Sequence, residues 1–128
     1  MTNLSSPAIQ NGHANQRDLT WSRSEKVIAR KAFDAALERE LHEVIQEAKQ
    51  RASRIRQSSD LWDLEHYLTR RRKEIDRKYD YRSSKLTHVF GKLLLEGRLG
   101  EEELRGLRED KLKSIRSYAK FLAEMDAA

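Results

Sequence analysis

The sequence predicts an all-α protein of three main helices, whose long central helix pairs with a second copy of the chain. Three observations carry this. Apolar residues recur at steps of three and four along most of the 128 residues, the spacing of one helical face. The single proline, Pro7, lies near the N-terminus and interrupts none of these runs. Hydrophobic residues make up 38% and charged residues 37%, which is lean for a solitary globule of this size but enough for long helices sharing an intermolecular core.

Residues 1–20 are rich in Asn, Ser, Gln and Thr without periodicity and read as a flexible tail, leaving 21–128 as one helical domain. Trp21 ends the polar stretch, and Ser22 with Glu25 three residues on reads as a capping box. A first helix is expected to about Gln57, with its stripe at Ile28, Ala32, Ala35, Leu37, Leu41, Val44, Ala48, Ala52 and Ile55. The run Gln57-Ser58-Ser59-Asp60 reads as a turn, with Ser59 or Asp60 as the next N-cap.

In the second helix Leu61, Glu65, Leu68, Arg72, Ile75, Tyr79, Arg82, Leu86, Phe90 and Leu93 follow one another at three- or four-residue steps. Gly91 weakens it by ~1 kcal/mol relative to alanine without stopping it. A helix from Leu61 to Glu96 would be ~54 Å long, wider than a globule of 15.0 kDa, so its middle is expected to lie against a second copy. Gly97-Arg98-Leu99-Gly100 reads as a glycine C-cap. Glu101, Glu102 and Glu103 then fit the first turn of a third helix, with its stripe at Leu104, Leu107, Leu112, Ile115, Ala119 and Leu122.

Several function classes fall away at this level. With no cysteine there is no disulfide or thiolate chemistry. No apolar run approaches the ~18 residues of a membrane span and no signal-peptide core opens the chain, so a cytoplasmic location is expected. Asp63 with His66, and Glu38 with His42, have ligand-like spacing. A di-iron bundle needs two Glu-x-x-His pairs and two more carboxylates, which are missing, so no metal or other cofactor is expected. No phosphate loop or nucleophile elbow is present, and Asp76 and Asp80 lie among arginines that hold them ionised, so no enzyme activity is expected.

Charge is concentrated in one place. Arg70–Lys85 holds eight basic and three acidic residues, a surplus equal to the whole chain's net +5. Arg70-Arg71-Arg72-Lys73 could track phosphates, but Arg70–Glu74, Arg72–Asp76 and Glu74–Lys78 are all spaced for pairing along one helix, and the interleaved acids oppose a nucleic acid. Arg72 and Arg82 occupy stripe positions where Leu would be stronger, which suits register-fixing or partner contact. Trp62 opens the same helix and reads either as core or as an interface anchor.

The segment Asp60–Arg82, DLWDLEHYLTRRRKEIDRKYDYR, resembles the signature of the cyanobacterial fluorescence recovery protein family. The likeness extends from Trp21-Ser22 through Leu93-Leu94-x-Glu96-Gly97, Glu103-Leu104 and Asp110-Lys111, covering about residues 21–122. It implies a homodimer with a paired-helix stem and small helical heads. The implied partner is the orange carotenoid protein, or a related carotenoid protein, bound through its C-terminal domain. Binding would speed the return of the red form to the orange form and end quenching at the phycobilisome, at the cytoplasmic face of the thylakoid.

Position by position, Trp62 and Arg72 match residues of the family's dimer-interface patch, shared here with Ile75 and Tyr79 of the same stripe. The patch's acidic position falls on His66, with Glu65 beside it. In the head, a family aromatic aligns with His88, near Phe90, and a family lysine aligns with Ser114, next to Lys113. These departures mark a divergent member. The alternative expectation is a dimeric helical scaffold, or a nucleic-acid-associated protein, with another client.

Overall fold

The computed structural model describes residues 20–127, so nearly all of the expected tail lies outside the described residues. Among them are four α-helices and one 3₁₀ turn, and no strand. The first helix, α1 (Arg23–Ser53), opens on the expected capping box: Ser22 Oγ accepts from the Glu25 amide at 3.2 Å, and Glu25 Oε1 accepts from the Ser22 amide at 3.0 Å. With 31 residues it spans ~46 Å, so the longest element is the first helix.

The second helix, α2 (Ser58–Lys78), runs back antiparallel to α1 and makes a two-helix stem with it. Its N-cap is Gln57. Asp60 does the capping from inside the first turn, its carboxylate accepting from the Arg56 and Gln57 amides at 2.9 and 3.3 Å.

The expected central helix over Leu61–Glu96 is two helices. It stops at Lys78, and α3 (Leu86–Leu95) begins after an elbow at residues 79–85. The reason is tertiary. Tyr79 and Tyr81 both set their rings edge-on to Phe33 of α1, with centroids 5.4 and 4.9 Å away. Turning there swings Leu86, Val89, Phe90 and Leu93 into a shared core with α1 and the last helix of the chain, where all four are buried. A straight helix would carry this apolar set into water, a loss far larger than the local helical preference it satisfies.

α3 ends in the expected glycine cap. Gly97 takes φ +76°, its amide donates to Leu94 O and the Arg98 amide to Leu93 O, both at 3.0 Å, in the Schellman pattern. The third-helix expectation shifts: Glu101–Leu104 form only a 3₁₀ turn, and the last helix, α4, spans Glu109–Ala127. Arg39 draws Glu103 away, its guanidinium donating to both carboxylate oxygens at 2.8 and 2.9 Å. Leu104 and Leu107 are buried as expected, but outside any α-helix.

The core lies in a head made of the first half of α1, α3, the 3₁₀ turn and α4. Phe90, Leu93 and Ile115 at its centre are fully enclosed. Gly91 lets α3 and α4 touch: a Cβ there would sit 3.0 Å from both Ile115 O and a ring carbon of Tyr118. The first half of α1 buries Ala29, Ala32, Phe33 and Ala36, so of the expected stripe only Ala32 is fully inside and Ile28 packs at the edge. The later stripe residues lie along the stem, where Leu41 stays exposed.

Candidate functional site

The elbow is held by one carboxylate. Glu40, 1% exposed, continues the inward positions Phe33 and Ala36 of α1 and points at the junction of stem and head. Arg71 and Lys78 of α2 reach it at 2.7 Å, Arg98 beyond α3 at 3.4 Å, and the Tyr79 hydroxyl donates to it at 2.9 Å. Burial pushes its carboxyl up, but the hydrogen bonds from Lys78 and Tyr79 and the charges of Lys78 and Arg98 outweigh burial and hold it below the usual carboxylate range. Burial and the Glu40 carboxylate together push the Tyr79 hydroxyl well above its ordinary value, so Tyr79 is always a donor here. Glu96 extends the network, bridging Lys78 and Arg98 at 2.7 and 2.6 Å.

The arginine cluster therefore divides differently from its sequence pattern. Arg71 turns inward to Glu40, while Arg72 is exposed and, like Asp76, forms no ion pair among the described residues. Arg70 meets Glu74 at 3.8 Å as the spacing suggests, but Lys78 goes to Glu40 and Glu96 instead of Glu74. Arg82 grips Asp80, and its side-chain hydrogen bonds, helped by its charge, hold that carboxyl down at about 2.

The stem carries apolar residues that the chain itself does not cover. On α1, Leu41 and Ile45 are 39% and 50% exposed, beside half-buried Leu37, Val44 and Ala48. On α2, Leu61 and Leu68 are 44% and 40% exposed. Each set lies about a quarter-turn from the line joining the two helices, counting ~100° per residue. Because the helices are antiparallel, both quarter-turns face the same side of the stem. Glu65 and Arg72 stand on that side of α2.

Trp62, 57% exposed, and His66 face outward, away from α1. His66 lies 3.7 Å from Glu65 with both side chains in water. Ile75 and Tyr79, expected at a dimer interface, are taken up within the chain's own fold, Ile75 buried and Tyr79 on Glu40.

In the head, His88 is exposed and its ring lies tilted against Tyr118 with centroids 4.3 Å apart, and Tyr118 in turn stacks on Phe121 at 6.1 Å. Lys113 and Ser114 border the same patch. Phe90, two residues on from His88 and so ~200° round the helix, points into the core. Sequence reasoning missed Glu40, Tyr118 and Phe121. The series Glu25, Ala29, Ala32, Ala36, Glu40 at three- and four-residue steps was the available signal for Glu40. No three His, Asp or Glu side chains among the described residues gather in a metal-holding group, and no described helix is long and apolar enough to cross a membrane.

Comparisons with known proteins agree with this architecture. Residues 21–119 match the family model described as "Photoprotection regulator fluorescence recovery protein". The fluorescence recovery protein of Synechocystis sp. PCC 6803 is 41% identical over 101 residues, which cover 79% of this chain and 93% of that protein. The structure of the Fremyella diplosiphon fluorescence recovery protein superposes with a TM-score of 0.76 at 42% identity, covering 79% of this chain and 99% of that one. That of the Synechocystis protein does so with 0.76 at 40% identity and the same coverage. Most of the described fold is thus shared with these proteins, and this chain belongs to the fluorescence recovery protein family of photoprotection regulators.

Proposed function

We propose that this chain is a homodimeric, non-enzymatic regulator that binds the C-terminal domain of an orange carotenoid protein, speeds its red-to-orange reversion and so ends fluorescence quenching at the phycobilisome. It would act in the cytoplasm, peripherally on the thylakoid surface. The observation that carries this reading is the uncovered apolar face of the stem in a chain of this family. Leu41, Ile45, Leu61 and Leu68 would be costly left in water and suit pairing with a second copy, which seats Glu65 and Arg72 at the seam. Acceleration without covalent chemistry requires tighter binding to the crossing between the two client states than to the red state itself. Each tenfold gain in rate needs ~1.4 kcal/mol of that difference.

The test is the dark relaxation of photoactivated orange carotenoid protein with the chain present below one copy per client. Faster relaxation is expected, because a binder that releases the orange form can act repeatedly. An unchanged rate would refute the reading. His66 stands where the family has an acid, so His66→Asp is expected to raise the acceleration; a wild type already as fast as this variant would show that the position is unimportant. The nucleic-acid alternative is the weaker one: Arg70, Arg71, Lys78 and Arg82, half of the basic cluster, are engaged with carboxylates, and Glu74, Asp76 and Asp80 stand among the rest.

A further inference from the structure

On the side of α2 away from the apolar stem face, the elbow opens into a cleft of about 670 Å³ between the end of α2, α3 and Tyr118 of α4. Seven arginines and lysines line it against four carboxylates. The carboxylates are consumed internally: Glu40 by Arg71, Lys78 and Arg98, Glu74 by Arg70 and Arg71, Asp80 by Arg82, and Glu96 by Lys78 and Arg98. What remains is Arg77 and Lys85, exposed and unpaired among the described residues, and Lys92, whose only carboxylate is the already shared Glu96 at 3.8 Å. Lys85 is also the N-cap of α3, with no side chain capping that helix and no acid in its first turn, so the helix's positive end adds to the same potential. Val89 and the His88–Tyr118 ring pair give the cleft an apolar wall.

We propose that this elbow cleft docks an acidic patch of the protein client, with Arg77, Lys85 and Lys92 receiving its carboxylates and the His88–Tyr118 pair packing on an apolar side chain beside them. This rests on the function proposed above. Charge complementarity argues for the occupant: three unsatisfied cations flank one apolar wall, a mixture that suits a protein surface. A continuous phosphate chain would leave the apolar wall of Val89 and the His88–Tyr118 pair with nothing to pack against. The cleft's residues on α2 lie roughly 130° round the helix from Leu61, Leu68 and Arg72, so a second copy on the apolar face leaves the cleft open.

The experiment measures binding of the full chain to photoactivated orange carotenoid protein at low and high salt. It compares wild type, the triple variant Arg77→Glu, Lys85→Glu, Lys92→Glu, its milder Gln counterpart at the same positions, and a control triple Lys26→Glu, Lys49→Glu, Lys120→Glu with the same change in net charge. All substituted side chains are exposed, and helicity by circular dichroism checks folding. The cleft triple is expected to lose about tenfold or more in affinity at low salt, the Gln triple less, and the control about twofold or less, with the differences shrinking at high salt. If the Glu triple fails to fold, the Gln triple decides. Equal losses in cleft and control triples, or none in the cleft triple while wild type binds, would overturn the cleft and leave the function standing. A wild type that does not bind would overturn both. Preferential binding of inorganic phosphate or a short DNA duplex in the cleft would also overturn the proposal, because the site would then be a phosphate site.

Discussion

Glu40→Gln tests the idea that one buried carboxylate fixes the head on the stem. Removing one partner of a buried ion pair costs about 3–5 kcal/mol when the other charge is stranded. Here no cation is stranded. Lys78 and Arg98 keep Glu96 at 2.7 and 2.6 Å, Arg98 keeps Glu43 at 2.8 Å, and Arg71 keeps Glu74 at 3.2 Å. The amide can still accept from Tyr79. The expected loss is therefore about 2 kcal/mol, the size of a hydrogen bond to a charged group, or roughly 1 M in urea midpoint at fixed protomer concentration. The sign of the pH dependence follows from a folded carboxyl held below its ordinary value. Its contribution is complete above the unfolded pKa of ~4.3 and is lost as pH falls through the lower folded value, so the gap between wild type and Glu40→Gln should be constant from about pH 7 to 5 and narrow below about pH 4. Asp34→Asn, which breaks the half-exposed Arg30–Asp34 pair, is the control and should cost under ~0.5 kcal/mol. A midpoint shift no larger than the control's, or a gap that widens on acidification, would refute the reasoning.

Light scattering should give roughly twice the 15.0 kDa chain mass, and Leu41→Glu with Leu68→Glu should return it to the monomer; a wild-type monomer of full helicity would refute the stem reading. Arg71→Leu should lower the thermal midpoint by uncoupling Glu40, whereas Arg72→Leu should leave protomer stability alone and weaken the dimer; equal effects on both readouts would show that the inward and outward roles are misassigned. Gly91→Ala should cost about 1 kcal/mol net by chemical denaturation, because overpacking against Ile115 and Tyr118 at about 1–3 kcal/mol outweighs ~1 kcal/mol gained in helix propensity; a stabilised variant would mean that α3 and α4 separate without penalty.

Local chemistry was readable from the sequence wherever backbone and side chain settle it between themselves. The Ser22–Glu25 box and the Gly97 cap depend on residues within six positions of one another, and both are where the spacing puts them. The elbow was not readable. Residues 79–85 hold no proline or glycine, and the stripe runs through Tyr79, Arg82 and Leu86 in step, so nothing local opposes a helix. Phe33, more than forty residues earlier, decides it by taking both tyrosine rings. Arg71 and Arg72 are likewise identical in type and adjacent, and only the position of Glu40 on another helix separates them. The exposed stem leucines were legible as a stripe, but which stripe residues the protomer keeps and which it leaves open required the hairpin's antiparallel geometry.

The buried pair between Glu25 and Lys111 has a consequence for how the chain folds. Lys111 Nζ donates to Glu25 at 3.0 Å across 86 residues of sequence, both side chains essentially enclosed, with the Lys111 ammonium 5.1 Å from the centre of the Trp21 ring. The Arg108 amide adds a second tie to the same carboxylate at 2.9 Å. The start of α1 is thus latched by the start of α4, so the head closes only after nearly the whole chain has been made and α4 has returned to the first turn of α1. The hairpin of α1 and α2 has no such requirement: the bend between the two helices is only four residues long, and α2 folds straight back along α1. Loop closure favours short separations, so the stem should form early and the latch last. A chain stopped before Lys111 would then present a formed stem with an unsealed apolar head, the species most prone to aggregate during synthesis.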